Sequence, residues 1–269
     1  MGCSRECFDW ASAFYDYSRA IPNNLMKKTI ETLQEKVIIL SDATILEVGV
    51  GTGRIAIPLT EKLNVNTIGI DISEKMIHKC QEKISSTSNI QLIVADGLTL
   101  PFVINRFDII FTCHVLHLLP NAYQFLENMV PLLIKNGYYI NLEAYVNYHR
   151  TVPFEIYYNK LSEVGFRYRY KGDLVRRGII IYLSRRGWKH QQCVIKGERE
   201  ISINNLVRFI RNRVFSHQRT IADDLHKQAL QHLYIELEER NIELSAKVLA
   251  PAASRLNIFN RKKKGGKSC

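Results

Sequence analysis

From Thr44 to Glu143 short apolar runs alternate with segments whose apolar residues recur at three- and four-residue spacing. That rhythm predicts parallel strands joined by helices. Strands are expected at Ile45, Leu46 and Val48, then over Thr67–Asp71, Asn89–Ala95, Arg106–Thr112 and Gly137–Glu143. Between them, Ile55–Leu63 has helical spacing, with Pro58 in the first turn where a missing N–H costs little. Ser73 caps the next helix, whose apolar face carries Met76, Ile77 and Cys80. Asn121–Leu133 is a third helix, ended by Lys135-Asn136-Gly137. Ahead of the first strand lie an amphipathic segment, Phe8–Arg19, and a helix over Asn23–Lys36 with Leu25, Ile30 and Leu33 inward.

After Glu143 the rhythm changes. From Tyr145 to about Asn241 the chain is rich in tyrosine and arginine, including Tyr148, Tyr157, Tyr158, Tyr168 and Tyr170 with Arg150, Arg167, Arg176 and Arg177. The spacing predicts helices over Val152–Val164, Asp173–Arg186, Ile203–Arg213 and Asp223–Arg240, with one short strand, Lys189–Ile195. This is read as an insert forming a cap, its aromatics lining an apolar pocket for a small substrate. Glu243–Leu249 and Arg255–Asn260, joined by Ala-Pro-Ala-Ala-Ser, are expected to close the fold as a hairpin.

The chemistry concentrates in the first strand–helix–strand unit. In Glu47-Val-Gly49-Val-Gly51-Thr-Gly53-Arg54 glycines alternate with other residues directly after a strand, so the backbone can turn sharply and approach a ligand without Cβ clashes. Asp71 ends the next strand 18 residues past Gly53. An acid roughly 20 residues beyond such a turn receives two ribose hydroxyls in dinucleotide sites. The G-x-G-x-G spacing lacks the two-residue gap that seats a pyrophosphate, so a nucleoside is implied more strongly than a diphosphate.

Glu47-x-Gly49-x-Gly51-x-Gly53, Asp71, Ala95-Asp96-Gly97 and Phe107-Asp-Ile-Ile-Phe-Thr-Cys-His-Val-Leu-His117-Leu-Leu-Pro together resemble the motifs of class I S-adenosylmethionine-dependent methyltransferases, closest to the small-molecule branch called methyltransferase type 11. The resemblance covers about residues 43–143. It implies an α/β, Rossmann-like, doubly wound, mostly parallel sheet of seven strands with an antiparallel last strand, plus the helical cap insert. The implied organisation is a cofactor-binding core over 1–145 and 242–260 with N-terminal lid helices, an insert over 146–241 and a basic tail over 261–269.

The implied cofactor is S-adenosyl-L-methionine, with S-adenosyl-L-homocysteine as product. The resemblance assigns its binding to Glu47, Gly49, Gly51, Gly53, Asp71 and Cys113, with Ile72 and Met76 packing on or behind adenine. Asp96 would accept the adenine amine beside Gly97. Phe8–Arg19 resembles the lid of the type 11 enzymes, in which Tyr15 would cover the site and Arg19 approach the cofactor carboxylate; docking a helix through Trp10 and Phe14 is the competing account. His114, first residue out of the fourth strand, is the candidate catalytic group, orienting the acceptor or taking its proton. His117 is expected to start a helix and to cap or pack. The reaction implied is in-line transfer of a methyl group to an O, N or C nucleophile of a small molecule.

Composition narrows the remaining alternatives. With 269 residues and 46% apolar content the chain can bury one large core or a core with an appended lobe. No apolar run is long enough to span a bilayer, and Glu6 spoils a myristoylation pattern at Gly2. The six cysteines form no C-x-x-C pair or zinc-type cluster, which suits reduced thiols in the cytoplasm and implies no metal. The net charge of +11 is concentrated partly in Arg261, Lys262, Lys263, Lys264 and Lys267. A basic tail can hold RNA through its phosphates. An RNA- or tRNA-modifying methyltransferase and a non-catalytic cofactor-binding scaffold are therefore the rival readings, and the acceptor, the atom methylated and the oligomeric state stay open.

Overall fold

The computed structural model describes residues 15–100, 102–167 and 172–261. Phe8–Phe14 of the expected lid, Tyr168 and Tyr170 of the insert, and Lys262–Cys269 of the tail lie outside them. The chain enters through α1 (Tyr15–Arg19) and α2 (Asn23–Lys36), then winds as β1 (Thr44–Val48), α3 (Ala56–Leu63), β2 (Asn66–Asp71), α4 (Glu74–Gln81), β3 (Ile90–Val94) and β4 (Phe107–Cys113). It continues as α5 (Ala122–Met129), β5 (Leu133–Val146), α6 (Val152–Glu163), α7 (Gly172–Arg185), β6 (Trp188–Ser202), α8 (Ile203–Arg211), α9 (Asp223–Glu239) and β7 (Lys247–Arg261).

The seven strands form one sheet in the order β3-β2-β1-β4-β5-β7-β6. The pairs among β1–β5 are parallel, and β7 enters antiparallel between β5 and β6. Strand alternation sorts side chains to two faces. Ile109, Phe111, Ile140, Leu142 and Ala144 pack with Ile30 and Leu33 of α2 and Leu59 of α3. On the other face Ile110 and Tyr139 pack with Phe125 and Met129 of α5 and Ile179 and Leu183 of α7. Both faces are covered, as parallel strands require. Among the described residues no helix is long and apolar enough to cross a membrane.

The closing hairpin expected around Ala-Pro-Ala-Ala-Ser is instead one continuous strand. β7 pairs with β6 from Trp188↔Arg261 to Ser202↔Lys247 and with β5 from Tyr138↔Asn260 to Val146↔Ala252. The small residues are close-packing positions, since Ala250, Ala252 and Ser254 are buried. Pro251 stands just past the last β5 pair, where a missing N–H breaks no ladder bond with that strand. Its carbonyl accepts the Asn147 N–H at 2.7 Å.

β6 is likewise twice as long as the strand expected at Lys189–Ile195, because β7 offers a partner along its whole length. The region expected as a cap divides in two. α7 and β6 complete the sheet layer, while α6, α8 and α9 bury a separate cluster around Tyr157, Leu206, Ile210 and Leu233.

The helix expected to run to Leu133 stops at Met129, a 3-10 turn covers Val130–Leu132, and Leu133 opens β5. Lys135-Asn136-Gly137 therefore ends no helix. Phe107 pairs with Leu133 and Ile109 with Tyr138, so these residues bulge out of β5, with Asn136 at φ +71°. A Cβ on Gly137 would stand 2.9 Å from the Asp108 carbonyl oxygen and 3.1 Å from that of Ile134. Backbone oxygens cannot swing aside, so Gly137→Ala is expected to lower stability by about 1–3 kcal/mol. Urea unfolding of the two proteins, compared at their midpoints, measures it.

Candidate active site

The glycine loop folds as its sequence demands. Gly49, Gly51 and Gly53 have φ of +74°, +56° and +77°. The N–H groups of Gly49 and Val50 donate to the Ile70 carbonyl at 2.8 and 2.9 Å, which ties the turn to the end of β2. The side-chain space differs along the loop. A Cβ on Gly49 would meet Val115 Cγ2 at 2.1 Å, whereas on Gly51 it would meet only Tyr15 Cε1, at 3.9 Å. Gly49 is thus small because protein packs on it. Gly51 faces a gap roofed by Tyr15, the kind of cradle a ligand fills.

Asp71 holds the loop from the neighbouring strand. Its Oδ2 accepts the Gly51 N–H at 2.9 Å and its Oδ1 the Ser73 N–H at 2.9 Å. Ser73 in turn caps α4 by accepting the Met76 N–H at 3.2 Å. From above, Asp16 on α1 accepts from Thr52 Oγ1, and Lys83 bridges Asp16 and the Thr52 carbonyl, the latter at 3.0 Å. The first helix is therefore fastened onto the glycine loop by polar groups the sequence reading did not single out.

Arg54 is a second omission. Its Nη1 donates to the Arg19 carbonyl at 2.5 Å, its Nη2 lies 3.8 Å from Cys113 Sγ, and its guanidinium sits 5.9 Å from the Tyr15 ring centroid. Its place directly after the third glycine was the available signal. It joins Tyr15, Arg19 and Cys113, three of the expected cofactor residues, around one cation. The Arg19 guanidinium lies 4.6 Å over the Phe215 ring. Burial pushes the Cys113 thiol up to about 12, which keeps it protonated and unreactive at neutral pH.

Glu47 is buried at the end of β1. Burial raises its carboxyl to about 8, with Arg54 working the other way and Asp71 adding to the rise. Met76 is fully packed beneath α4, while Ile72, at 43% exposure, projects beside the site. Asp96 is exposed and accepts the Leu98 N–H at 2.9 Å through Oδ1. Gly97 approaches β1 closely, since a Cβ there would stand 2.9 Å from Val48 Cγ1.

The turn after β4 holds the two histidines. His114 has φ +57°, a conformation rare outside glycine and asparagine. Its Nε2 lies 2.8 Å from the Ala144 carbonyl oxygen and 3.2 Å from the Ala144 nitrogen, so the ring bridges the ends of β4 and β5. Burial, then the Arg54 charge, lowers it to about 3, and the imidazole is neutral. His117 lies 6.4 Å away, ring to ring, and is lowered by burial and Arg19. It starts no helix; it stands in the turn ahead of α5. Beside both, a small cavity is walled by Asn141 and Glu143 of β5 and by Val175 and Arg176 of α7. Among the described residues no three or more histidine, cysteine or acidic side chains gather as a metal site.

Comparison with known proteins agrees with this architecture. Residues 45–137 match a methyltransferase domain. Relatives include an uncharacterized protein of Methanocaldococcus jannaschii, 37% identical over 34% of this chain and 40% of its own, and a demethylmenaquinone methyltransferase of Staphylococcus carnosus, 31% identical over 44% and 48%. The chain spans less than half the length of these curated relatives. Among solved structures, the YcgJ protein of Bacillus subtilis aligns over 88% of this chain and 99% of its own, with TM-score 0.54 and 16% identity. Phosphoethanolamine N-methyltransferase 2 of Haemonchus contortus, solved with phosphomonomethylethanolamine and S-adenosylhomocysteine, aligns over 97% and 61%, with TM-score 0.54 and 12% identity. These structural likenesses establish the shared fold.

Glu47 makes stability depend on pH in a defined window. Its folded-state value of about 8 lies above the ordinary 4.5, so the native state holds the proton more tightly. The associated stability is complete below pH 4.5 and is lost as pH rises to about 8. Urea unfolding should show Glu47→Gln gaining on the parent protein steadily across that interval. A stability gap independent of pH would contradict the buried, proton-holding role.

Proposed function

We propose, from the premise that residues 45–137 belong to the methyltransferase domain family, that this chain is an S-adenosylmethionine-dependent methyltransferase acting on a small molecule. The observation that carries the reading is the joint placement of the glycine loop and Asp71. Gly51 opens onto a gap beneath Tyr15, and the carboxylate that pins it stands at the adjacent strand end. A carboxylate can accept several hydrogen bonds at once, so holding the loop backbone does not prevent Asp71 from meeting ribose hydroxyls. Exposed Ile72 and Asp96 stand at the ends of β2 and β3, where an adenine face and its amine would be met. Tyr15 closes over the loop, and Arg19 brings a cation for a carboxylate.

When bound, the cofactor supplies a methyl group already activated on a sulfonium. The chain's own task is then to hold a nucleophile in line at roughly 3–3.5 Å and to exclude water. The cavity at the β4 and β5 ends is the acceptor side of this arrangement, outside the carboxyl ends of the strands where ligands of such sheets collect. Of the two roles considered for His114, orientation is the better fit. A neutral imidazole with a proton affinity lowered to about 3 accepts a proton poorly at neutral pH. Its Nε2 is engaged at Ala144, which fixes the ring so that the other nitrogen can position an acceptor. The thiols of Cys80, Cys113 and Cys193 are free, as the reducing cytoplasm we assign to it allows.

The demethylmenaquinone and phosphoethanolamine methyltransferases among the similar proteins act, by their names, on small molecules, which supports that acceptor class here. Incubating the protein and methyl-labelled cofactor with size-fractionated metabolites and, separately, RNA tests it. Label is expected in the small-molecule fraction; label confined to RNA would overturn the acceptor class, and label in neither would overturn the activity. Asp71→Ala should weaken calorimetric affinity for S-adenosylhomocysteine by at least about 1 kcal/mol through lost charge-assisted hydrogen bonds. Unchanged affinity would contradict the assigned role of the carboxylate.

A further inference from the structure

The helix α7 is apolar on two opposite sides. Its inner side is settled by the fold. Ile179 and Leu183 are buried, and Val175, Ile180 and Tyr182 pack against the same cluster. Arg176 turns to Glu143, whose Oε2 accepts its Nη1 at 2.7 Å and that of Arg255 at 2.6 Å. The outer side carries Leu174 and Ile181, 73% and 52% exposed, with Arg177, Ser184 and Arg185 exposed around them. At 3.6 residues per turn, Leu174 and Ile181 lie within about 20° of each other around the helix, and Leu183 stands about half a turn from Leu174. The two aliphatic side chains therefore form an outer ridge, as far from the core as the helix allows.

A residue of α5 joins that ridge. Tyr123, 45% exposed, has its ring 4.9 Å from that of Tyr182. A Cβ on Gly178 would come within 2.5 Å of the Tyr123 hydroxyl oxygen, so the glycine admits the tyrosine to the outer side of α7 between Leu174 and Ile181. The charge along this stretch has one sign. From Leu174 to Arg186 the sequence carries four arginines and no acidic residue. Across on α5, Glu127 is already engaged: Arg186 lies 3.5 Å from it and the Tyr182 hydroxyl donates to its Oε1 at 2.5 Å. The Arg186 guanidinium also covers the Tyr182 ring, 3.6 Å from its centroid.

We infer that the outer ridge of α7, together with Tyr123, docks on an anionic membrane surface. A helix lying in a bilayer interface needs an apolar strip that enters the acyl boundary and basic side chains at the level of the phosphates. The ridge offers the first in Leu174, Tyr123 and Ile181 and the second in Arg177 and Arg185, on a helix of 14 residues or about 21 Å. Tyrosine suits that depth, its ring apolar and its hydroxyl wet. Nucleic acid would meet the arginines but would leave Leu174 and Ile181 unused, since aliphatic side chains give a base no face to stack on. A protein partner would need an apolar groove rimmed by acids, whereas an anionic leaflet presents negative charge above an apolar layer everywhere. The contact is peripheral, and it does not rest on the methyltransferase reading.

Cosedimentation of the full chain with vesicles tests this at fixed ionic strength, using phosphatidylcholine alone and phosphatidylcholine mixed with phosphatidylserine. The parent is expected to bind the anionic vesicles at least about fivefold more tightly. Leu174→Ser combined with Ile181→Ser should lower that binding by about tenfold or more, although every cationic residue is retained. Arg177→Gln combined with Arg185→Gln should remove most of the preference for phosphatidylserine. Urea midpoints close to that of the parent identify the folded variants. A separate readout is Leu174→Trp, whose added fluorescence should shift to the blue on anionic vesicles and be quenched by lipids brominated in the upper acyl chain.

The inference is overturned if the parent binds neither vesicle, or if the added tryptophan signal ignores brominated lipid. It is equally overturned if the double serine variant binds like the parent, which would leave charge alone at work. Binding of RNA, or self-association, that the double serine variant loses while vesicles are ignored would give the ridge to that partner instead.

Discussion

The site depends on one carboxylate. Asp71 gathers the backbone N–H of Gly51 from one loop and that of Ser73 from the next, so two turns that lie 22 residues apart in the chain share a single anion. Buried or half-buried N–H groups demand partners, and an ionised acceptor serves them better than a neutral one. Without it Gly51 would lose its side-chain anchor, leaving the loop held to β2 only by the Gly49 and Val50 bonds to the Ile70 carbonyl. Asp16, Thr52 and Lys83 close the same loop from above, so the first helix is held to the loop by polar contacts.

The sheet supplies the rest of the positioning. Because β1, β2, β3 and β4 are parallel, their carboxyl ends lie together. Gly49–Gly53, Asp71, Asp96 and His114 arrive at one rim although 65 residues separate the first from the last. β5 then sets the far wall through Asn141 and Glu143. The extended β7 beside it contributes Arg255 by register alone. Electrostatics follow from this layout. Buried histidines among arginines stay neutral, while Glu47, desolvated and beside Asp71, keeps its proton to unusually high pH.

The glycine loop and the acid beside it could be read in the sequence, because their signals are local: glycines after a strand, and an acid at a strand end. Five parallel strands were legible for the same reason, each an apolar run bounded by turn residues. What failed were features fixed by distant partners. Ala-Pro-Ala-Ala-Ser reads as a turn by composition, yet these small residues are where β7 passes under close packing, and nothing local says that β5 and β6 wait on either side. Lys135-Asn136-Gly137 carries a genuine helix-stop signature but is spent on a bulge opposite Asp108. Arg176 and Arg255 were unremarkable among many arginines, since only the fold places both on Glu143.

The central placement of β7 has a consequence for how the chain is made. Its two neighbours, Leu133–Val146 and Trp188–Ser202, are synthesised well before Lys247–Arg261. Until that final segment leaves the ribosome, β5 and β6 each present an unpaired edge, the condition under which nascent chains associate wrongly. Pairing over such long sequence separations is slow. The charged and polar residues spaced along β6, from Lys189 and Gln191 to Lys196, Glu198 and Glu200, are suited to keep that waiting edge in solution.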